Sequence, residues 1–322
     1  MLLIMLHKYI LTKKMYYIKL FDLISDYNNY IKSEDALLPN VSLIVETTKL
    51  HYNPIKKQIS YFGFTAIEDS TIIITAQNSG ESCDPIANLE YSKDGNTWTT
   101  WDYSNIQLST GESVYLKGNN PNGFSSFSDD DFISHNFAMS TGKYNVHGNI
   151  MSLIYGDDFE DKYTIPTQYC FYALFTTMSA NPNTSLVNAG DLILPATTLT
   201  DNCYYAMFTY CTSLLSAPAL PATTLANGCY VTMFGGCTSL VTAPVLPAGT
   251  LAGYCYLNIF AGCTNLNNIT MLATDISADN CLTDWVSDVS SIGTFTKHKD
   301  MTSLQSGTSG IPAGWTVVDY AA

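Results

Sequence analysis

From Leu194 onward, apolar and polar positions recur with a step of 26 residues. LPATTLTDNCYYAMFTYCTSLLSAPA begins at Leu194, LPATTLANGCYVTMFGGCTSLVTAPV at Leu220, LPAGTLAGYCYLNIFAGCTNLNNITM at Leu246, and a shortened copy, LATDISADNCLTDWV, at Leu272. Cys203, Cys229, Cys255 and Cys281 form one column, and Cys211, Cys237 and Cys263 a second. A repeat of roughly 20–30 residues with recurring Leu predicts a solenoid, in which each unit buries its apolar side only against its neighbours. Within a unit, Cys203, Met207, Phe208 and Cys211 fall at i, i+4, i+5 and i+8, the spacing of one stripe on a short helix capped by Asp201 or Asn202. The following TSLLSAPALP predicts an extended segment, with Leu214 inward and Pro218 and Pro221 excluding helix. Each coil is thus expected to run helix, turn, short strand, turn, the strands stacking in parallel about 4.8 Å apart. The predicted core columns are Cys203, Met207, Phe208, Cys211 and Leu214, then Cys229, Met233, Phe234, Cys237 and Leu240, then Cys255, Phe260, Cys263 and Leu266.

Upstream the pattern changes. Residues 58–155 alternate apolar and polar positions in FTAIEDSTIIITAQ, ANLEYSKDGNTWTTWD, IQLSTGESVYLKGNN and HNFAMSTGKYNVHGNI, with Asp94-Gly95 and Thr110-Gly111 where tight hairpin turns are expected. This predicts a small β-sandwich without helices. Residues 1–57 predict a short α+β segment: a strand over 16–21, a helix after Ser25, and two strands within 41–54. It is too small to hold its own core and is expected to anchor on a partner. In residues 156–193 the motif at Cys170 precedes its counterpart at Cys203 by 33 residues, so a first irregular repeat is expected, bulging outward at Asn181-Pro182-Asn183. The fold expected is therefore multidomain and β-rich: an N-terminal anchoring segment (1–57), a β-sandwich (58–155), a repeat solenoid (156–292) and a C-terminal cap (293–322).

Composition narrows the partners. Of 322 residues 46% are hydrophobic, enough for a substantial core, and the net charge is −14. All 14 basic residues are Lys, so no guanidinium fork is available for phosphate or guanine, and nucleic-acid binding is not expected. Residues 1–57 carry eight Lys against five acids. Between Lys162 and Lys297, by contrast, there are six Asp and no basic residue. The N-terminal MLLIMLHKYILTKK lacks a basic leader and a cleavage site, either Met1 or Met15 can be the start, and no apolar run is long enough to predict a membrane span.

The nine cysteines contain no C-x2-C pair, and their alternating spacings of 8 and 18 follow the repeat. Positions eight apart on a helix lie about 12 Å apart, too far for a disulfide, so buried thiols acting as small apolar spacers are expected. Ser92-Lys93-Asp94-Gly95-Asn96-Thr97-Trp98 resembles the Asp-box hairpin of sialidases, one residue short, and is expected to be a structural turn with Trp98 and Trp101 straddling the sheet. No Glu follows Glu160, and the Asp residues of the repeats, Asp201, Asp275, Asp279 and Asp284, sit at cap or turn positions. No G-x-S-x-G, H-E-x-x-H or phosphate-binding glycine loop occurs, and no catalytic residue, cofactor or metal site is expected. Two acidic runs, Ser128–Asp131 and Gly156–Asp161, depart from the D-x-D-x-D-G calcium loop and are expected to be solvated. The 22 Tyr, with abundant Thr, Ser and Asn, suit contact with sugar rings or protein, and Tyr204, Tyr205, Tyr230, Tyr254 and Tyr256 are the expected surface contacts of the repeats.

LPATTLANGCYVTMFGGCTSLVTAP is similar to the BspA-like class of leucine-rich repeats, with Leu220-Pro221, Leu225, Met233-Phe234, Cys237 and Leu240 on that pattern; it departs in its 26-residue length and in Cys229. The wider layout, KLFDLISDYNNYIKSEDALLPNVS, NLEYSKDGNTW, VYLKGNN, GNIMSL and GTSGIPAGWTVVD, resembles virion proteins of gut bacteriophages, including crAss-like phages. That resemblance implies a non-enzymatic head fibre or decoration protein, or a tail-associated one. It would attach to other virion proteins through its N-terminal segment, present its repeats to host glycan, mucus or protein, and assemble as a homo-oligomer such as a trimer. The alternative is a BspA-like adhesin of a bacterial cell surface.

Overall fold

The computed structural model describes residues 61–78, 81–83, 85–127, 132–176 and 181–321. The chain divides after Lys57, and the described residues belong to the second unit, Gln58–Ala322. The expected anchor over 1–57 and the acidic run Ser128–Asp131 lie outside the described residues.

The fold is β-rich, with several sheets. Strands β1 (Phe62–Ala66), β5 (Leu89–Ser92), β6 (Thr99–Thr100), β8 (Ser113–Gly118), β11 (Tyr144–Asn149) and β12 (Leu186–Ile193) form a six-stranded sheet in the order β12-β11-β1-β8-β5-β6. A four-stranded sheet runs β4-β3-β10-β9, from β3 (Thr75–Asn78), β4 (Glu81–Cys83), β9 (Ser126–Phe127) and β10 (Phe132–Asn136). The alternating pattern has its expected consequence here: Phe62, Phe64, Val114, Leu116, Tyr144 and Val146 all turn into the core. Phe137, just past β10, packs edge-on against Phe64 at 5.0 Å and parallel to Phe124 at 5.9 Å, joining the two sheets.

Both expected glycine turns are present, but only one closes a hairpin. Gly95 and Gly111 both adopt positive φ (72° and 84°). Asp94-Gly95 lies between the paired strands β5 and β6. Strand β7 (Ile106–Leu108) instead pairs with β2 (Ser70–Ile72), whereas β8 pairs with β1 and β5, so the turn at Gly111 carries the chain from one sheet to another. One short helix, α1 (Ser152–Tyr155), follows β11; its Ser152 hydroxyl accepts from Phe62 N–H and donates to Leu116 O, tying it to β1 and β8.

The repeats are not helical. In the segment from Thr200 to Cys211 each second amide closes a four-residue turn: Cys203 N–H donates to Thr200 O, Tyr205 to Asn202, Met207 to Tyr204, Thr209 to Ala206 and Cys211 to Phe208. The intervening amides of Asn202, Tyr204, Ala206, Phe208 and Tyr210 donate instead to Asn227, Cys229, Val231, Met233 and Gly235, one coil further on. The same alternation continues from Gly228–Gly236 to the coil beginning at Gly253, and from Tyr254–Gly262 to the coil after that. Every fourth residue takes positive φ: Asn202, Ala206 and Tyr210; Gly228, Thr232 and Gly236; Tyr254, Asn258 and Gly262. An α-helix would have satisfied all but the first few of these amides inside the coil and left the satisfied ones unable to bind its neighbour. The apolar spacing of i, i+4 and i+8 therefore reflects a turn ribbon with a period of four, which a helical reading of period 3.6 mistook for its own stripe.

The second half of each coil also departs from expectation. Isolated parallel bridges, Thr198↔Thr224, Thr242↔Asn268, Leu246↔Met271 and Thr250↔Asp275, connect the middle coils, but full strands appear only later. Strands β13 (Asn268–Met271), β14 (Thr294–Lys297) and β15 (Thr316–Asp319) form a parallel three-stranded sheet in register Asn268↔Thr294↔Thr316. The register explains the difference. Pro218 and Pro244 occupy the position that Thr270, Thr296 and Val318 fill in the strands, and proline has no amide to contribute to a ladder.

In the inserted segment after Cys170 the described residues turn both outward, as expected, and inward. Asn181 and Pro182 are exposed, but Asn183 is buried; its Nδ2 donates to Phe175 O at 3.0 Å and its Oδ1 accepts from Ser185 and Leu186 N–H. That bracket starts β12, which pairs in parallel with β11. The sheets and the repeats consequently share one continuous core. A spine of rings runs from Phe64 through Phe137, Phe175, Phe208, Phe234 and Phe260 to Trp285 and Phe295, each within 6.4 Å of the next. At the far end Trp285 Nε1 donates to Gly310 O and Trp315 Nε1 to Ser290 O, folding the C-terminal segment onto the last coil.

Candidate functional site

The fourteen predicted core residues, Cys203, Met207, Phe208, Cys211, Leu214, Cys229, Met233, Phe234, Cys237, Leu240, Cys255, Phe260, Cys263 and Leu266, are all fully buried. The thiols are free, and Cys83 alone among the nine is exposed. Burial pushes the thiols of Cys170, Cys255 and Cys263 up to about 12, so they are un-ionised packing groups. Cys237 and Cys263 also donate S–H to Phe208 O (3.1 Å) and Phe234 O (3.0 Å) in the preceding coil.

Of the five tyrosines expected on the repeat surface, three are inside. Tyr204, Tyr230 and Tyr256 are buried and stack face to face, with centroids 5.8 and 6.1 Å apart, continuing a column that begins at Phe171. In the turn ribbon both residues of each Cys-Tyr pair are buried, following a left-handed residue (Asn202, Gly228 or Tyr254) that the helical reading did not foresee. Burial raises all three phenols well above their ordinary value, and the Tyr204 hydroxyl has no hydrogen-bond partner. Tyr205 remains half-buried and Tyr254 is exposed.

A cluster of half-buried rings forms where the four-stranded sheet meets the first two coils, apart from the exposed Tyr163, Tyr210, Tyr254 and Tyr320. Phe132 on β10, Tyr169 and Tyr172 in the first coil and Tyr205 in the second are all half-buried. Phe132 meets Tyr172 edge-on at 4.8 Å and Tyr169 at 5.6 Å, and Tyr172 stacks on Tyr205 at 5.4 Å. The coil step sets this contact: Tyr172 N–H closes a turn on Tyr169 O, and Ala173 N–H donates to Tyr205 O. Burial, then the neighbouring Tyr205 and the Asp201 carboxylate, raises the Tyr169 phenol; burial, then Tyr205 and Tyr169, raises that of Tyr172. The four rings thus pack on one another, while Asp201 Oδ1 accepts from Asn227 N–H at 3.0 Å in the next coil. In the sequence, Tyr172 and Tyr205 are recognisable as equivalents one repeat apart; Phe132, some forty residues upstream, offers no such signal.

Two further clusters are structural. In the hairpin resembling an Asp-box, Asp94 accepts from Asn96 N–H (2.8 Å), Thr97 N–H (2.7 Å), Ser92 Oγ and Thr97 Oγ1. These bonds, the backbone ones first, hold its carboxyl well below the usual carboxylate range. Trp101 is buried and Trp98 half-buried, with Lys117 Nζ 4.4 Å above the Trp98 ring. Lys117 also pairs with Asp157 at 2.9 Å and Glu90 at 3.7 Å, and Asp157 accepts from Tyr61. Burial works to raise the Asp157 carboxyl, but its bonds from Lys117 and Tyr61 hold it lower. The acidic run Gly156–Asp161 thus uses one carboxylate in a salt bridge. Among the described residues no group of three or more Cys, His, Asp or Glu is placed to hold a metal ion, and no helix is long and apolar enough to cross a membrane.

His135 on β10 is buried between loops. Its Nδ1 lies 2.6 Å from Phe124 O, and its Nε2 accepts from Ile86 N–H (3.1 Å) and Ala87 N–H (3.2 Å). That pattern requires a neutral ring protonated on Nδ1. Burial lowers its pKa, partly offset by the bond to Phe124.

Comparison with family models, curated proteins and solved structures finds no match for this chain.

Proposed function

We propose that this chain is a non-enzymatic structural protein of a bacteriophage particle, a head fibre or decoration protein or a tail-associated one, whose repeats form a BspA-like leucine-rich solenoid. Residues 1–57 attach it to other virion proteins, and the repeat-bearing part faces outward and adheres to host glycan or mucus. The observation that carries this reading is the coil-to-coil ladder, in which alternate amides of one unit bind the carbonyls of the next from Asn202 through Gly262. Such a stack is an extended scaffold stabilised by nearest-neighbour interfaces, suited to displaying a surface more than to enclosing a reaction. The absence of any basic residue between Lys162 and Lys297 supports a neutral ligand. Copies arranged about a particle's symmetry axis, as a trimer for instance, would add avidity to weak individual contacts.

Mass spectrometry of purified particles tests the reading. The protein is expected to co-purify with infectious particles through a density gradient. Recovery from the envelope of uninfected host cells, and absence from particles, would replace it with a bacterial surface adhesin.

A further inference from the structure

We infer that the outer edge of β15 is a contact between two copies of this chain, their β15 strands pairing antiparallel about a two-fold axis at Val318. The inference goes beyond the particle-bound reading and does not depend on it.

The parallel sheet β13-β14-β15 is covered on one side only. Next to β13 lies the preceding coil, bridged through Thr242↔Asn268 and Leu246↔Met271. On the other side β15 pairs with β14 alone, and among the described residues no strand meets its outer edge. Thr316 N–H donates to Gly293 O and Tyr320 N–H to Lys297 O, so these residues face β14. Strand alternation turns Val318 the same way and leaves the backbone groups of Val317 and Asp319 pointing outward. The side chains end just as abruptly. Ile269, Phe295 and Val317 occupy one column of the sheet; the first two are fully buried, whereas Val317 is 44% exposed. Val318 and Tyr320 are exposed beside it. Unpaired backbone groups between apolar side chains are a template for another strand.

Charge and register select a second copy. Asp319 is the one charged residue of β15, and Lys297 of its own chain binds it at 2.7 Å, so the edge meets its copy without an unanswered charge. Antiparallel pairing must set outward-facing residues opposite one another. A two-fold axis at Asp319 would oppose two carboxylates, which is unfavourable. An axis at Val318 instead sets each Val317 opposite the partner's Asp319, each pair exchanging both N–H···O bonds, and brings the two Val318 side chains together between them. The strand is then its own complement, as an isologous contact requires. A strand of four residues offers far less than the roughly 1,200–2,000 Å² of a stable interface, so the pairing is weak in dilute solution and strengthens where copies are held close.

Sedimentation of the full chain from about 5 to 500 μM tests the contact. Self-association is expected to rise with concentration, and Val318→Lys, which opposes two like charges, should weaken it roughly tenfold or more. Position is read by oxidation in a Cys83→Ser background, where the remaining native thiols are buried. Val318→Cys should link to its copy, since directly opposite Cα atoms of such a pair lie about 4.5 Å apart. Val317→Cys should not, because its copy lies on a diagonal about 7–8 Å away. Thermal melting of each variant separates lost association from lost folding. Undiminished association in a folded Val318→Lys, a monomer throughout the range with Val318→Cys unlinked, or equal linking of Val317→Cys and Val318→Cys would overturn the inference.

Discussion

The rings of Phe208 and Phe234, one coil apart, lie 5.4 Å between centroids and within 1° of parallel. Parallelism of this kind follows from register. When alternate amides of one coil bind the next, equivalent side chains are placed above one another along the stack, and identical residues in identical rotamers superpose. The aromatic spine is therefore a consequence of the backbone ladder as much as a cause of the core.

Truncating the middle of that spine should be costly. Phe234 is fully buried and stacks on both Phe208 and Phe260. Phe234→Ala is expected to destabilise the fold by about 3–5 kcal/mol, as large aromatic deletions in packed cores do. Urea denaturation of the purified variant measures it. Because the core is continuous from sheets to repeats, the loss should appear in one shared transition and not in the repeats alone.

The left-handed positions make an opposed pair of predictions. Gly236 has φ +72°, and a Cβ there would stand 2.4 Å from the Tyr210 ring, so Gly236→Ala should destabilise by more than the roughly 1–2 kcal/mol that a left-handed conformation costs an ordinary residue. Thr232 has φ 54° although it is β-branched, the poorest class for that region, and Asn258 fills the equivalent place one coil on. Thr232→Asn should raise stability by about 0.5–1 kcal/mol. Chemical denaturation of both variants against the parent reads the two signs directly.

Acid should weaken the protein through His135 and His147. Burial depresses both pKa values in the folded state. The unfolded chain therefore takes up protons first, near pH 6.5. The stability these residues confer is complete above that pH. It is lost as pH falls toward their folded values, at up to about 1.4 kcal/mol per pH unit for each histidine. His135→Gln should flatten part of this slope while lowering stability at neutral pH, because Gln cannot reproduce both ring contacts. Melting temperatures between pH 7.5 and 5 give the comparison; an unchanged slope would remove His135 from this account.

Thiol chemistry should divide the nine cysteines sharply. Cys83, exposed on β4, is expected to react with an aromatic disulfide reagent in the native protein, and the other eight only after denaturation. Fewer than nine thiols in the denatured, unreduced protein would show disulfides and contradict the free cysteines of the fold.

Much of this architecture is legible in the residues alone, and the limits of that legibility are physical. The step of 26 identifies the stacking units and the columns that are buried, because a residue repeated at each coil must meet its own copies. Alternation over 58–155 likewise marks strands, and Gly95 and Gly111 mark turns. What spacing does not contain is the backbone conformation that produces it. Positions four apart suit an α-helix and a four-residue turn ribbon alike, and the choice rests on amides that bind 25 residues away, such as Phe208 to Met233. The same long-range ladder turns Tyr204, Tyr230 and Tyr256 inward and leaves Tyr205 half-buried. The candidate site is a further step removed, since Phe132 reaches Tyr172 only when the sheet closes against the first coil. Local pattern determines which residues repeat and which are apolar; the pairing of distant backbone groups decides where each side chain points, and so which rings are buried and which stay at the surface.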